Sequence, residues 1–386
     1  MTEHITEEKR NRAVLVGLSA HSLPREDCAT DSSLEELSAL LETAGGVCVG
    51  TALQQKDAPD PRTFIGEGKV AEVKALAEAQ GADMVIFDNA LSPSQQRVLS
   101  EELGVSVMDR SALILDIFAQ HAVTRAGKLQ VELAQLRYTQ PRLTGKNRAM
   151  DRLMGGIGGR GPGETKLETD RRRSRERMAR LRKELDQLRR QRAFTRSRRA
   201  RRGIPMAALV GYTNAGKSTL LNNLTRSEVL AENKLFATLD PTTRRLRFPA
   251  EREIILADTV GFIRNLPKEL MDAFRATLEE LESADLLVHV ADASHPDLLQ
   301  QITSVETILE ELELQHMPRI LLLNKWDLLD VPARAELADA FPHAIPISAR
   351  TGDGLKRLLE VLENMLLSTQ QSQLLIPFED DGLVLQ

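Results

Sequence analysis

The chain has 386 residues, 42% hydrophobic and 28% charged, more than one ordinary domain needs and enough to bury more than one core. No apolar run approaches the ~18 residues of a membrane span, the opening MTEHITEEKR lacks the apolar stretch of a secretory signal, and Cys28 and Cys48 are too few for a disulfide framework or a metal cluster. The formal charge of −5 hides an asymmetry: Arg125 to Arg202 holds 25 Lys or Arg against 8 Asp or Glu, about +17, leaving about −22 for the remainder. A soluble, cytoplasmic, acidic body with a basic arm is the expectation.

In chain order, residues 13–19 (AVLVGLS) and 47–53 (VCVGTAL) read as strands, separated by a helix over 32–42 with Asp31 as its cap. A helix near 69–80, a strand at 84–88, a helix over 93–102 started by Pro93 and a strand at 105–108 follow. Strands alternating with helices predict a small parallel α/β domain over residues 1–112. Gly66-Glu67-Gly68-Lys69 lacks the spacing of a phosphate loop and reads as a helix-start turn.

The period then changes. Leu113, Ile117 and His121, then Leu129, Leu133 and Leu136, lie at helical spacing, one long helix or two in series reaching about Tyr138. A further helix over about 165–192 carries Met178, Leu181, Leu185 and Leu188 in 3, 4, 3 steps, a narrow seam that suits one partner helix. An antiparallel hairpin over 113–202 is expected. Its tip has six glycines between Gly155 and Gly163, flanked by Arg148, Arg152, Arg160 and Lys166, a loop that is neither helix nor strand. The following helix opens with Arg171, Arg172 and Arg173 and continues arginine-rich. So large a cationic excess repels itself without a polyanion, and guanidinium groups pair with phosphates bidentately. With only Tyr138 and Phe194 as aromatics there, contact with RNA or DNA would read shape and backbone more than stacked bases.

Past Gly203 the alternation resumes. The run 207–210 ends in GYTNAGKST: Gly211, Tyr212, Thr213, Asn214, Ala215, Gly216, Lys217, Ser218 and Thr219. A Gly-x4-Gly-Lys-Ser turn between strand and helix converges backbone N–H groups on phosphate oxygens, with Lys217 as a point charge and the Ser218 hydroxyl facing Mg2+. Three more strand ends narrow the ligand. Asp258-Thr259-Val260-Gly261 offers a carboxylate to the metal's water shell and a backbone N–H, that of Gly261, to a γ-phosphate. Asn324-Lys325-Trp326-Asp327 offers a carboxylate that accepts both guanine donors, which adenine lacks. Ser348-Ala349-Arg350 brings backbone to the base oxygen. Together these motifs indicate GTP or GDP. The 227–243 loop must supply an oxygen to Mg2+; Thr238, within Phe236-Ala237-Thr238-Leu239-Asp240, Thr242 and Thr243 are the candidates. The expected GTP-binding domain, a mostly parallel sheet with helices on both faces, spans 203–368; residues 369–386 read as a tail.

With GKLQVELAQLRY and GGIGGRGPGETKLETDRR upstream, these motifs resemble the bacterial HflX family of translational GTPases over nearly the whole chain. The resemblance implies a cytoplasmic GTPase, monomeric when free, that binds the large ribosomal subunit, reaches its RNA with the first domain and the hairpin, and splits stalled or idle ribosomes, particularly under stress. It implies nucleotide contacts along 211–218, 236–240, 258–261, 324–327 and 348–350, with Ser218 and Thr238 as Mg2+ ligands. Many GTPases place a water-orienting glutamine after the DxxG glycine, but here Phe262 stands there, so slow intrinsic hydrolysis is expected. Related GTPases hold K+ with an asparagine at the position of Asn214, so stimulation by K+ or by the ribosome is expected to supply the missing group. Lys217, Asp258, Gly261 and Asn214 form the expected catalytic set. A GTP-gated ribosome-assembly or RNA-remodelling factor is the alternative reading.

Overall fold

The computed structural model describes residues 10–142, 166–200, 204–225, 235–236, 242–248, 252–264 and 281–367. Two compact units are present. The first comprises Met1–Thr195 with Leu230–Pro241 and Val260–Glu279; the second comprises Arg196–Val229, Thr242–Thr259 and Glu280–Gln386.

The first unit is built on β1 (Arg12–Ala20), α1 (Asp31–Thr43), β2 (Val47–Lys56), α2 (Glu67–Gln80), β3 (Met84–Phe87), α3 (Pro93–Leu103) and β4 (Ser106–Asp109). The sheet order is β2-β1-β3-β4, parallel throughout. β1 is almost continuously apolar because helices cover both its faces, and Val14, Val16, Val85 and Phe87 share a core with Val73 and Leu99. Thr30 caps α1 by accepting from Ser33 N, so the cap lies one residue before the predicted Asp31, which is already helical. Either side chain can cap, and Ser33 decides because its Oγ accepts in turn from Thr30 N. Gly66 precedes α2 as an extended turn residue, the helix-start turn expected there.

Two helices in series follow, α4 (Arg110–His121) and α5 (Arg125–Thr139). The break falls at 122–124, where Ala122 turns extended and Thr124 caps the next helix through Gly127 N. Helix α6 (Lys166–Ala200) runs longer than the predicted 165–192. Arg177 pairs with Glu132, and Arg125 with Glu184; the earlier residue of one helix meets the later residue of the other, so α5 and α6 are antiparallel. Leu129, Leu133, Met178, Leu181 and Leu185 close the seam between them, with Leu136 and Leu188 at its margins. Each such buried side chain contributes about 2 kcal/mol.

In the second unit β5 (Met206–Val210), α7 (Lys217–Thr225), β6 (Thr242–Arg247), β7 (Glu253–Asp258), β8 (Leu286–Asp292), α8 (Leu298–Glu311), β9 (Arg319–Asn324), α9 (Val331–Ala340), β10 (Ile345–Pro346) and α10 (Leu355–Leu367) form a sheet ordered β10-β9-β8-β5-β7-β6. Only β6 runs antiparallel to its neighbour. The parallel strands therefore deliver their carboxyl ends to one edge, where an open α/β sheet places ligands. No helix among the described residues is long and apolar enough to cross a membrane.

Candidate functional site at the carboxyl edge of the second sheet

Three of the parallel strands, β7, β8 and β9, end in a polar residue at this edge. β5 passes into Gly211, β7 ends in Asp258, β8 in Asp292 and β9 in Asn324, while Ser348 follows β10. Pairing sets them side by side: Leu209 lies opposite Asp258, Val210 opposite His289, and Asp292 opposite Asn324.

The turn from β5 to α7 needs its glycines. Gly211 has φ +150, and a Cβ there would lie 2.1 Å from Val290 O; Gly216 has φ +94, and a Cβ would lie 2.2 Å from Asn324 Nδ2. That approach lets Asn324 Nδ2 donate to Ala215 O at 2.7 Å, while its Oδ1 accepts from Ala349 N at 2.8 Å. One buried side chain thus ties the phosphate loop to the Ser348-Ala349 segment. Asn223 of α7 adds a bond to Ala349 O at 3.1 Å.

Lys217 is buried, and its Nζ donates to Gly211 O at 3.0 Å and to Tyr212 O at 2.7 Å. Burial pushes its pKa down to about 8, opposed by the nearby Asp258 carboxylate. The loop carbonyls hold the ammonium where phosphate oxygens would compete for it. Ser218 Oγ donates to Asp258 Oδ2 at 2.7 Å, and Thr259 Oγ1 to Leu209 O at 2.6 Å. The hydroxyl and the carboxylate form an oxygen-only pair beside an anion cradle, the donor chemistry that Mg2+ prefers; the residues fit that ion. Thr213 Oγ1 is buried without a hydrogen-bond partner among the described residues, a polar atom aimed at no protein group.

Asn214 is exposed, with φ +60. Lys325 has φ +62, and its Nζ pairs with Asp292 Oδ2 at 2.6 Å. Trp326 and Asp327 sit in a short 3-10 turn, Trp326 N donating to Ile347 O at 3.1 Å. Ser348 and Ala349 are buried; Arg350 is exposed. Thr219 is half-buried on α7. Thr242 and Thr243, the alternatives to Thr238, lie in β6 opposite Asp258 and Ala257. Thr238, Ala237, Leu239 and Asp240 lie outside the described residues.

Phe236 belongs to the first unit, buried, with φ +58, its ring 4.6 Å from that of Phe118 on α4. Val260 and Gly261 fall in the same unit, and so does Arg264, whose Nη2 donates to Cys28 O at 2.9 Å. Phe262 is buried and offers no polar atom. On the hairpin, Arg171, Arg172 and Arg173 are exposed. Arg148, Arg152 and Arg160 lie outside the described residues, as does the side chain of Lys166, whose backbone starts α6.

Sequence reading passed over Asp292, Asn223 and the buried His289. The signal for Asp292 was present: β8 is an apolar run closed by a carboxylate, the same pattern that marked Asp258.

A strand-loop-helix phosphate cradle beside a guanine-type recognition turn, on a six-stranded sheet with one antiparallel edge, defines a P-loop GTPase. Residues 31–119 match the family described as GTP-binding GTPase N-terminal, residues 121–199 the GTP-binding GTPase Middle Region, and residues 206–325 the 50S ribosome-binding GTPase family. The chain belongs to the HflX family of GTPases: it is 47% identical to GTPase HflX of Caldanaerobacter subterraneus subsp. tengcongensis over 96% of this chain and 84% of that one. With GTPase HflX of Escherichia coli it shares 45% identity over 86% of this chain and 79% of that one. Among solved structures, a GTP-binding protein from Sulfolobus solfataricus in complex with GDP is 25% identical over 93% of this chain and 99% of that one, at a TM-score of 0.46. The protein hydrolyses GTP and is a ribosome-binding GTPase by family.

Proposed function

We propose that this GTPase acts in the cytoplasm as a monomer, binds the large ribosomal subunit through its hairpin, and uses the GTP-bound state to split stalled or idle ribosomes under stress. The observation that carries this reading is the division of α6: Met178, Leu181 and Leu185 are buried against α5, while Arg171, Arg172, Arg173, Arg175, Arg180 and Arg182 face outward. A helix that presents this many guanidinium groups on its free face suits ribosomal RNA phosphates, and Arg148, Arg152, Arg160 and Lys166 extend the same contact.

At the nucleotide, Gly211 to Thr219 cradle the phosphates, and Lys217 leaves its loop carbonyls to pair with the β- and γ-phosphate oxygens. Ser218 and Thr238 would hold Mg2+, with Asp258 oriented towards it through water; bound there, the ion neutralises charge on the transferring phosphoryl group. The Gly261 N–H meets the γ-phosphate, Asp327 accepts from guanine, and the Ser348-Ala349-Arg350 backbone meets the base oxygen. Phe262 cannot orient water, so hydrolysis is slow alone and the ribosome raises it; Asn214 would hold a K+ ion that would neutralise charge developing between the phosphates. Phe236 packs against Phe118 of α4 and Arg264 bonds the carbonyl of Cys28, so both nucleotide-sensing segments have anchors within the first unit.

Cosedimentation tests the ribosome contact. Replacing Arg171, Arg172 and Arg173 with Glu should strongly weaken pelleting with large subunits and flatten its salt dependence, while intrinsic GTPase activity persists. Undiminished pelleting would remove the arm from the account. Stable association with single subunits, without splitting of whole ribosomes, would favour the assembly-factor alternative.

A further inference from the structure

The Lys325 ammonium is fixed by a residue outside every motif named above. Asp292 ends β8 directly opposite Asn324 at the end of β9. Its Oδ1 accepts from Ser294 N at 3.0 Å and from Ser294 Oγ at 2.7 Å, which sets the plane of the carboxylate. Its Oδ2 is thereby aimed at Lys325 Nζ, 2.6 Å away. The Asp292 side chain is 11% exposed and that of Lys325 is 26% exposed, so this pair is far less solvated than an ordinary surface ion pair.

The lysine needs such an anchor. Its backbone sits at φ +62, a conformation that side chains with a Cβ rarely adopt and that persists only where the surroundings over-determine it. Those surroundings are visible. Ala293 N donates to Asn324 O at 2.9 Å, Leu328 N to Lys325 O at 3.0 Å, and Trp326 N to Ile347 O at 3.1 Å. Backbone bonds thus fix where the lysine starts, and Asp292 fixes where it ends. Between the two, the lysine's four methylene groups are tethered at both ends, next in sequence to the 3-10 turn that carries Asp327.

We propose that Asp292 is a positioning residue for guanine recognition: by anchoring Lys325 Nζ, it lays the lysine stem as the surface on which the purine ring packs, in register with the Asp327 carboxylate. The role rests on the reading that Asn324 to Asp327 recognise guanine. It concerns the base and not the γ-phosphate, so Asp292 supports GTP and GDP binding equally and leaves the chemical step alone. Without it, the lysine regains rotamer freedom that nucleotide binding must then remove.

The test uses the full chain, with equilibrium binding of GDP and a non-hydrolysable GTP analogue followed by Trp326 fluorescence, and steady-state hydrolysis beside it. Asp292→Asn keeps the shape and the acceptor for Ser294 but removes the charge. It should weaken both nucleotides about tenfold, the equivalent of about 1.4 kcal/mol, raise KM to match, and leave kcat unchanged. Ser294→Ala should shift affinity the same way by less. In a Lys325→Met background, Asp292→Asn should have no further effect, because its partner is already gone. An equal loss in that background, a fall in kcat without a change in KM, or unchanged affinity would overturn the role. Asp327→Asn separates this role from the reading beneath it: it should lower guanine affinity and favour xanthine, whose C2 oxygen can accept from the new amide. If Asp327→Asn behaves so and Asp292→Asn does nothing, the positioning role fails alone; if Asp327→Asn leaves guanine binding intact, the pocket reading fails with it.

Discussion

The chain contains two parallel sheets whose carboxyl edges are used in opposite ways. At the first, Arg110 lies buried on α4 and pairs with Asp88 after β3, at 2.7 Å, and with Glu36 of α1, while Ser33 donates to Asp88 at 2.6 Å. Asp109, ending β4, accepts from Tyr138 Oη at 2.8 Å and from Arg142, whose guanidinium stacks 3.5 Å above the Tyr138 ring. Asn89 bonds Leu18 at both its N–H and its carbonyl. The polar groups of that edge hold α1, α4 and α5 to the sheet. At the second edge, Lys217 rests on its own loop and Ser218 on Asp258, contacts that phosphate and metal can replace. One edge is cross-linked by its own side chains; the other is organised around groups that can change partners.

That contrast can be broken first at Arg110. Arg110→Ala would strand the buried Asp88 carboxylate and should cost about 3–5 kcal/mol, seen as a lower urea midpoint, with GDP affinity in the still-folded protein unchanged. Lys217→Ala should do the reverse. GTP hydrolysis should fall at least about 100-fold, comparable to deleting a preorganised electrostatic donor, while the unfolding midpoint stays level or rises because a buried charge is gone. If either variant showed the other's pattern, the division between the edges would not hold.

A pH series sharpens the same comparison. His289 lies buried in β8, its pKa pushed down to about 4 by burial, with Arg319 and Lys217 adding repulsion. The unfolded chain takes up that proton near the ordinary value of about 6.5 and the folded one only near 4, so acid favours unfolding across that window. Stability should fall by up to about 3 kcal/mol between those limits, and His289→Gln should flatten the fall. The smallest effect is at the first edge's periphery: Thr30→Ala removes the α1 cap and should cost about 1 kcal/mol, read as a small downward shift in Tm.

Much of this was legible in the sequence, for a physical reason. A buried parallel strand must be apolar, so the residue that ends it stands out: Gly211, Asp258 and Asn324 each close such a run, and the heptad-like step of Met178, Leu181, Leu185 and Leu188 marked the seam of α6. Residues defined by a partner far along the chain were hidden. Nothing near Arg110 in the chain announces its pairing with Asp88 and Glu36, and although Asp292 closes an apolar run, its partner Lys325 is set only when β8 pairs with β9. Thr30 and Asp31 both carry cap chemistry, and only the reciprocal bond from Ser33 chooses between them.

The most direct test of the central claim is light scattering from purified whole ribosomes mixed with the full chain, GTP analogue or GDP, and the Arg171, Arg172 and Arg173 to Glu variant. Scattering should fall with the wild-type chain in the GTP-analogue state and stay flat with GDP or with the arm variant. Scattering that falls equally with GDP, or that falls with the arm variant, would contradict a nucleotide-gated factor working through its basic hairpin.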